Sequence, residues 1–502
     1  LDKSTYDYVV VGGGTAGAVV AARLAEDPGT SVCLVEAGPS DEGVREILEL
    51  KRWQNLLGHP DYGQEFEIER QPQGNSDILH SRGIMLGGSS SHNSAIAFKP
   101  TEGDMRRWEG AGATGWGPDG VAKYFSRVSR TVNMEPSDAG NLLVEAFLSG
   151  GEELGFPRLN FGKGVKAGVG LFQLNKKGEH RQSSSAAYLH PLPELPELPE
   201  NLTVLTGTRT RRIIFEDDRA VGVETERGEL RATEEIVLSA GAFDTPKLLM
   251  LSGVGPAEPL GMLGVPVVSD LVGVGENLLD HPEGVIMWES STPVPDETAN
   301  YYEAGLFANV DPDSGDPDLM FHFGLQAFDM HTLPKGYPTA QNAFSITPNV
   351  TRAKSRGMVR LRAADPDTPP AIDFRYFTDP EGYDERIMVE GVRLARELAA
   401  SPALSKWVQR ELAPGPSAQS FEEISEYVRT TANTVYHPAG TCKMGAPDDP
   451  DAVVDPELRV RGVEGLRVAD ASVFPAMISV NPCITCMMVG EKAADMMKSV
   501  KV

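Results

Sequence analysis

The chain has 502 residues, with 46 Lys and Arg against 72 Asp and Glu and a formal net charge of −26. That length exceeds what one ordinary hydrophobic core organises and points to two to four domains. No Lys/Arg cluster is dense enough to track a phosphate backbone, which argues against nucleic acid as a partner, and no run approaches the roughly 18 to 20 apolar residues of a membrane span.

The opening "LDKSTYD" passes straight into an apolar run with no basic, apolar leader, so a cytoplasmic enzyme is the expectation. "YDYVVVGGGTAGAVVAARLAEDPGTSVCLVEAG" then reads as strand, glycine turn, helix, short turn and second strand ending in Glu36. Gly12 permits the tight turn, Gly14 lets backbone approach a pyrophosphate, and Gly17 lets the helix pack close to the strand. The helix N-terminus offers free N–H groups to phosphates. Glu36, 19 residues past Gly17, sits where an acid accepts hydrogen bonds from a ribose diol. An acid there argues against NADP and leaves NAD and FAD open.

Further along, "LGGSSSHNS" strings Gly87, Ser90, His92, Asn93 and Ser94 through residues with almost no bulk, so backbone can run close to a flat ring system, with His92 placed to reach it. "PLPELPELPE", Pro191 to Glu200, cannot pair in a sheet and is expected to be an exposed connection. Of the four cysteines, Cys483 and Cys486 have C-x-x-C spacing, but they lie in the apolar run "CITCMMVG" with no second Cys or His pair at zinc spacing. They are expected to be inert buried thiols, and no metal site is expected.

Five motifs in order carry a family resemblance: the βαβ unit, "SRGIMLGGSSSHNS", "GAFDTPKLLMLSGVGP" with "GVGENLLDHP", "NTVYHPAGTCKMG", and the closing "GLRVADASVFPAMISVNPCITCMMVGEKAADMM". Together they resemble the glucose–methanol–choline (GMC) family of FAD-dependent alcohol oxidoreductases, over Tyr6 to about Met497, and the text is most similar to the choline-oxidising members. The resemblance implies an α/β fold: a Rossmann-type FAD domain assembled from 1–150, 192–302 and 435–502, and a substrate domain with an antiparallel sheet from 151–191 and 303–434.

It also implies a chemistry. The cofactor would be FAD, bonded through His92 to the 8α-methyl carbon as in choline-oxidising relatives, with Asp470 and Pro482 of the closing motif also at the cofactor. His437 in "VYHPAGT" and Asn481 in "SVNPCIT" match the family's paired catalytic positions. Imidazole can take the hydroxyl proton or stabilise an alkoxide, and an amide can hydrogen-bond the same oxygen. A quaternary ammonium substrate needs a carboxylate and aromatic faces. By resemblance these are Glu303 in "NYYEAGLF", with Trp53, Phe344 and Tyr436 as walls, while Ser94 and Val435 are small lining positions near the catalytic histidine that would admit O2. The implied reaction oxidises choline through betaine aldehyde to glycine betaine and yields H2O2. Oxidation of uncharged primary alcohols and a non-redox hydroxynitrile lyase reaction are the alternatives. A homodimer is expected from relatives. The remaining histidines, His281 and His322 among them, are expected to be structural or exposed.

Overall fold

The computed structural model describes residues 4–137, 140–190 and 198–499. Most of the Pro/Glu segment expected as an exposed connection lies outside these residues. Strand β1 (Thr5–Val11), helix α1 (Gly17–Leu24) and strand β2 (Val32–Val35) form the expected strand–helix–strand unit. β1 and β2 pair in parallel from Tyr8↔Val32 to Val11↔Val35. Their continuous apolar text suits strands covered on both faces.

β1 lies at the centre of a seven-stranded sheet in the order Thr210–Glu216, Arg219–Thr225, Gly228–Leu238, β1, β2, Leu202–Leu205. Leu466–Val468 also pairs with Gly228–Leu238, in parallel. The ends of the chain therefore meet in one sheet. They also meet through helices: α1 packs on the C-terminal helix Cys483–Lys498, so closely at Gly490 that a Cβ there would stand 2.7 Å from the Ala16 carbonyl. Arg23 and buried Glu491 lock the contact at 2.9 Å.

A second sheet of eight strands is antiparallel in every pairing. Its main path runs Val408–Ala413, Ile286–Ser290, Ala343–Val350, Leu319–Gly324, Ala304–Ala308, Gly168–Leu171. Helix Tyr383–Ala399 covers one side, placing Gly391 against Pro348. The other side faces the site described below. One expected boundary shifts: the segment through 302 falls with the first sheet in the sequence-based division, yet Pro282–Glu283 and Ile286–Ser290 pair in the second. The strand-forming run "VIMWES" stands before residue 303 and already pairs in the second sheet.

Among the described residues no helix is long and apolar enough to cross a membrane.

Candidate functional site

Two cavities meet beyond the carboxyl end of β1, where open α/β sheets place ligands. They share five wall residues: Thr15, Arg82, Ser89, Ala471 and Cys486.

The first cavity is lined by Gly12, Gly14, Glu36, Ser239 to Asp244 and Asp470. Gly12 has φ +96°, and a Cβ on it would fall 2.4 Å from the Ser239 carbonyl oxygen. A Cβ on Gly17 would strike the Gly12 carbonyl oxygen at 1.9 Å. Around Gly14 nothing comes nearer than 3.8 Å, so its missing side chain is open cradle. The first turn of α1 has neither a side-chain cap nor an acid; Ala18 N donates to the Gly14 carbonyl at 3.1 Å, and no side chain competes with an anion for the rest of the turn. The carboxylate of Glu36 accepts from the N–H of Gly13 at 2.8 Å and of Gly38 at 2.7 Å. Burial pushes its pKa up to about 7. Thr210 Oγ1 is buried without a partner on the same wall. A glycine cradle, an uncapped helix, an acid at the second strand and an orphaned hydroxyl fit a dinucleotide.

Asp470 fastens this cavity rather than merely lining it. Its carboxylate accepts from Gly241 N at 2.8 Å and Thr245 Oγ1 at 2.6 Å on one oxygen, and from Ser472 N at 2.8 Å on the other.

The serine-rich loop runs between the cavities. Gly87 (φ +82°) and Gly88 (φ +52°) turn it so tightly that a Cβ on Gly88 would stand 2.8 Å from Gly14 Cα. Ser90 donates to the Gly87 carbonyl at 2.6 Å. Arg181, unmarked by any sequence signal, holds the loop from behind: it donates to the carbonyls of Ile47, Ser90 and Asn93 and to Asn93 Oδ1. His92, Asn93 and Ser94 then face the second cavity. His92 Nε2 lies 3.0 Å from the Leu56 carbonyl and 3.3 Å from Ser81 Oγ. Burial drives its pKa to about 3, so the ring is neutral.

The second cavity brings together Trp53, His92, Asn93, Ser94, Val435, Tyr436, His437, Asn481 and Pro482, as the sequence suggested. It adds Glu283, Tyr302, His322 and Phe328. Two expected residues fall elsewhere. Glu303 is buried, accepts from Ala299 N, and lines a separate cavity beside Asn141 and Gln173. Side chains alternate along an extended chain, so with Tyr302 facing the site its neighbour must face away. Phe344 is fully buried and stacks on Trp288 at 5.5 Å; Thr347, three residues on, is the one that faces the cavity.

The carboxylate on this cavity is Glu283, with His322 Nδ1 at 3.4 Å from its Oε1. Tyr302 stands edge-on to Trp53 at 6.0 Å and to Phe328 at 6.5 Å. Trp53 is itself fixed, donating Nε1–H to the Asn300 carbonyl at 2.9 Å, while Asn300 donates to the Ser94 carbonyl at 2.8 Å.

Hydrogen bonding fixes the protons opposite. His281 Nε2 lies 2.9 Å from two carbonyl oxygens, of Thr351 and Ile478. Carbonyls only accept, so Nε2 carries the proton and Nδ1 is left as an acceptor. His437 Nδ1 is 2.8 Å from that Nδ1 and must donate to it. The lone pair of His437 therefore sits on Nε2, 3.4 Å from Asn481 Nδ2. Burial lowers both rings below the ordinary imidazole value, His281 to about 4 and His437 well down, with His281 adding to the latter. His281, expected to be structural, is thus a direct partner of His437. Asp280 ties the two together: Oδ1 accepts from His437 N at 3.0 Å, and Oδ2 from the hydroxyls of Tyr376 and Thr434, each at 2.5 Å.

Cys483 and Cys486 lie on the cavity wall as free thiols. Burial raises both, Cys483 to about 11, which suits inert side chains. Among the described residues no cluster could hold a metal.

Comparison with known proteins identifies the family. The GMC oxidoreductase N-terminal and C-terminal family profiles match residues 6–283 and 353–490. The chain is 48% identical to choline oxidase of Arthrobacter globiformis, covering 100% of this chain and 96% of that protein. It is 35% identical to oxygen-dependent choline dehydrogenase of Rhizobium rhizogenes, covering 97% and 95%. Among solved structures, pyridoxine 4-oxidase of Mesorbium loti superposes with a TM-score of 0.89 at 30% identity, covering 98% of each chain.

Proposed function

The chain belongs to the GMC oxidoreductase family and is an FAD-dependent oxidase, and from that premise we propose that its substrate is choline, taken to betaine aldehyde and, as the aldehyde hydrate, to glycine betaine. The observation that carries this is the second cavity: a buried carboxylate, Glu283, among the rings of Trp53, Tyr302, Phe328 and Tyr436, facing the lone pair of His437. An ammonium bearing methyl groups offers no hydrogen-bond donor, and its charge is matched by a carboxylate and aromatic faces. Glu283 takes the role that the sequence suggested for Glu303.

Bound in the first cavity by the Gly12–Gly17 turn, Glu36 and the serine-rich loop, FAD would supply the hydride acceptor and the route by which the electron pair reaches O2 as H2O2. The chain's residues do the rest. The hydroxyl donates to His437 Nε2, which receives the proton while His281 and its two carbonyls keep Nδ1–H in place. Asn481 Nδ2 donates to the substrate oxygen. The aromatic wall and Glu283 hold the cation so that the carbinol carbon faces the junction with the cofactor cavity. Ser94 and Val435 leave that wall thin for O2. His92, neutral and facing the same cavity, is the residue we assign to the flavin 8α-methyl bond. Free buried cysteines suit a cytoplasmic enzyme, and we propose a homodimer on the family resemblance, to be checked by light scattering.

The test is oxygen uptake with choline against its uncharged isostere 3,3-dimethylbutan-1-ol at matched concentrations, with peroxide assayed. Strong preference for choline with peroxide formed supports the reading. Equal or reversed rates remove choline as the substrate.

A further inference from the structure

Arg82 stands at the junction of the two cavities and lines both. Among the described residues no carboxylate comes within 4.0 Å of its guanidinium. Of its five N–H donors, one is used, Nη1 to the Tyr436 carbonyl at 2.8 Å. Burial lowers its pKa only to about 10, so the charge is present at neutral pH. Arg181 differs in its place: its Nε and Nη1 donate to backbone carbonyls and to Asn93 behind the serine-rich loop, its Nη2 is buried without a partner, and it lines neither cavity. Asp280 and Asp244 act on Arg82 only from beyond ion-pair distance; a buried cation with no contacting counter-charge is costly, so its free donors suit a ligand that brings negative charge.

We propose that Arg82 is the counter-charge for the negative charge the flavin ring acquires on reduction, and so sets how readily the ring accepts a hydride. The inference rests on the FAD reading above. When an electron pair enters the ring at N5, charge accumulates across the ring toward N1 and the C2 carbonyl. A fixed guanidinium at the cavity junction stabilises that product over the neutral oxidised ring. Arg209 and Lys247 line only the first cavity, at a remove from the second, and are the cations available to the phosphates. Arg82 instead shares its position with Thr15, Ser89, Ala471 and Cys486, between the dinucleotide cradle and His437.

Sulfite tests this without any alcohol, because it adds to N5 of oxidised flavin, forming an N–S bond and leaving the ring anionic. The flavin-loaded Arg82→Met protein is expected to bind sulfite at least tenfold more weakly than the parent, and Arg82→Lys within about threefold of it. Arg82→Gln, which keeps donors but not charge, serves in place of the methionine variant if that chain does not fold. A sulfite dissociation constant in the neutral variant within twofold of the parent's overturns the proposal, as does a folded variant that cannot hold flavin, since that outcome moves Arg82 to the phosphates. Sulfite bleaching that depends on Arg82 in a chain that fails to oxidise choline would reject the substrate and keep this role.

Discussion

On the proposed reading three side chains decide whether the cavity oxidises a cationic alcohol, and each is testable alone. Glu283→Gln removes the cavity's carboxylate without changing its shape. The Michaelis constant for choline is expected to rise about 30-fold, the equivalent of roughly 2 kcal/mol lost from a desolvated charge pair, and the preference over 3,3-dimethylbutan-1-ol to collapse. Glu303→Gln, facing another cavity, is expected to leave that preference intact; the opposite pattern in steady-state kinetics would restore the sequence-based assignment. His437→Ala removes the lone pair that receives the proton, and kcat is expected to fall by at least about 100-fold in protein that still carries flavin. His92 makes a simpler claim. Acid precipitation of the parent is expected to carry the yellow colour into the pellet, and of His92→Ala to leave it in the supernatant.

At the scale of elements, two glycine turns from distant parts of the chain touch, and the flavin-binding geometry depends on that contact. A methyl group on Gly88 would stand 2.8 Å from Gly14 Cα at a left-handed φ of +52°. Gly88→Ala is therefore expected to lower the flavin-to-protein ratio, read from absorbance near 450 nm, well before it lowers the unfolding temperature. Turns of this kind were legible in the sequence, because Gly12 and Gly17 leave no room for a Cβ and Gly87 and Gly88 take left-handed φ. So were His437 and Asn481, each inside a motif. The substrate wall was harder to read. "NYYEAGLF" places a glutamate beside two tyrosines, and only strand direction shows that Tyr302 faces the cavity while Glu303 faces away. Glu283 and His281 stood in plain sight in "LLDHPEG", but their value comes from pairing with residues distant in the chain. Glu283 meets His322 from another strand, and His281 meets His437, 156 residues on. Arg181 carried no signal at all, since its work is to fill backbone acceptors that exist only once the serine-rich loop has folded.

Across the whole molecule, the site is assembled where the two sheets meet, and four histidines in and around it are held uncharged by burial, which couples acid stability to the geometry of the site. His80, His92, His281 and His437 all have pKa values pushed below the ordinary imidazole value, chiefly by burial. For His281 the folded value is about 4 against 6.5 unfolded. Above pH 6.5 neither state is protonated there, and the ring's contribution is fully present. Between pH 6.5 and about 4 only the unfolded chain takes the proton, so stability falls as pH falls, by about 1.4 kcal/mol per pH unit. Glu36 and Asp280 act with the opposite sign. Burial raises them to about 7 and about 6, so the folded state takes their protons first and gains stability as pH drops through those values. The net slope of the parent mixes both kinds of group, whereas the difference from a His281→Gln variant isolates one. The parent is expected to be the more stable protein at pH 7.5. The gap in urea unfolding free energy is expected to shrink by about 2 kcal/mol between pH 6.5 and pH 4.5. Parallel curves across that window would mean that His281 titrates alike in both states, and with that the fixed tautomer pointing His437 Nε2 into the cavity would lose its support.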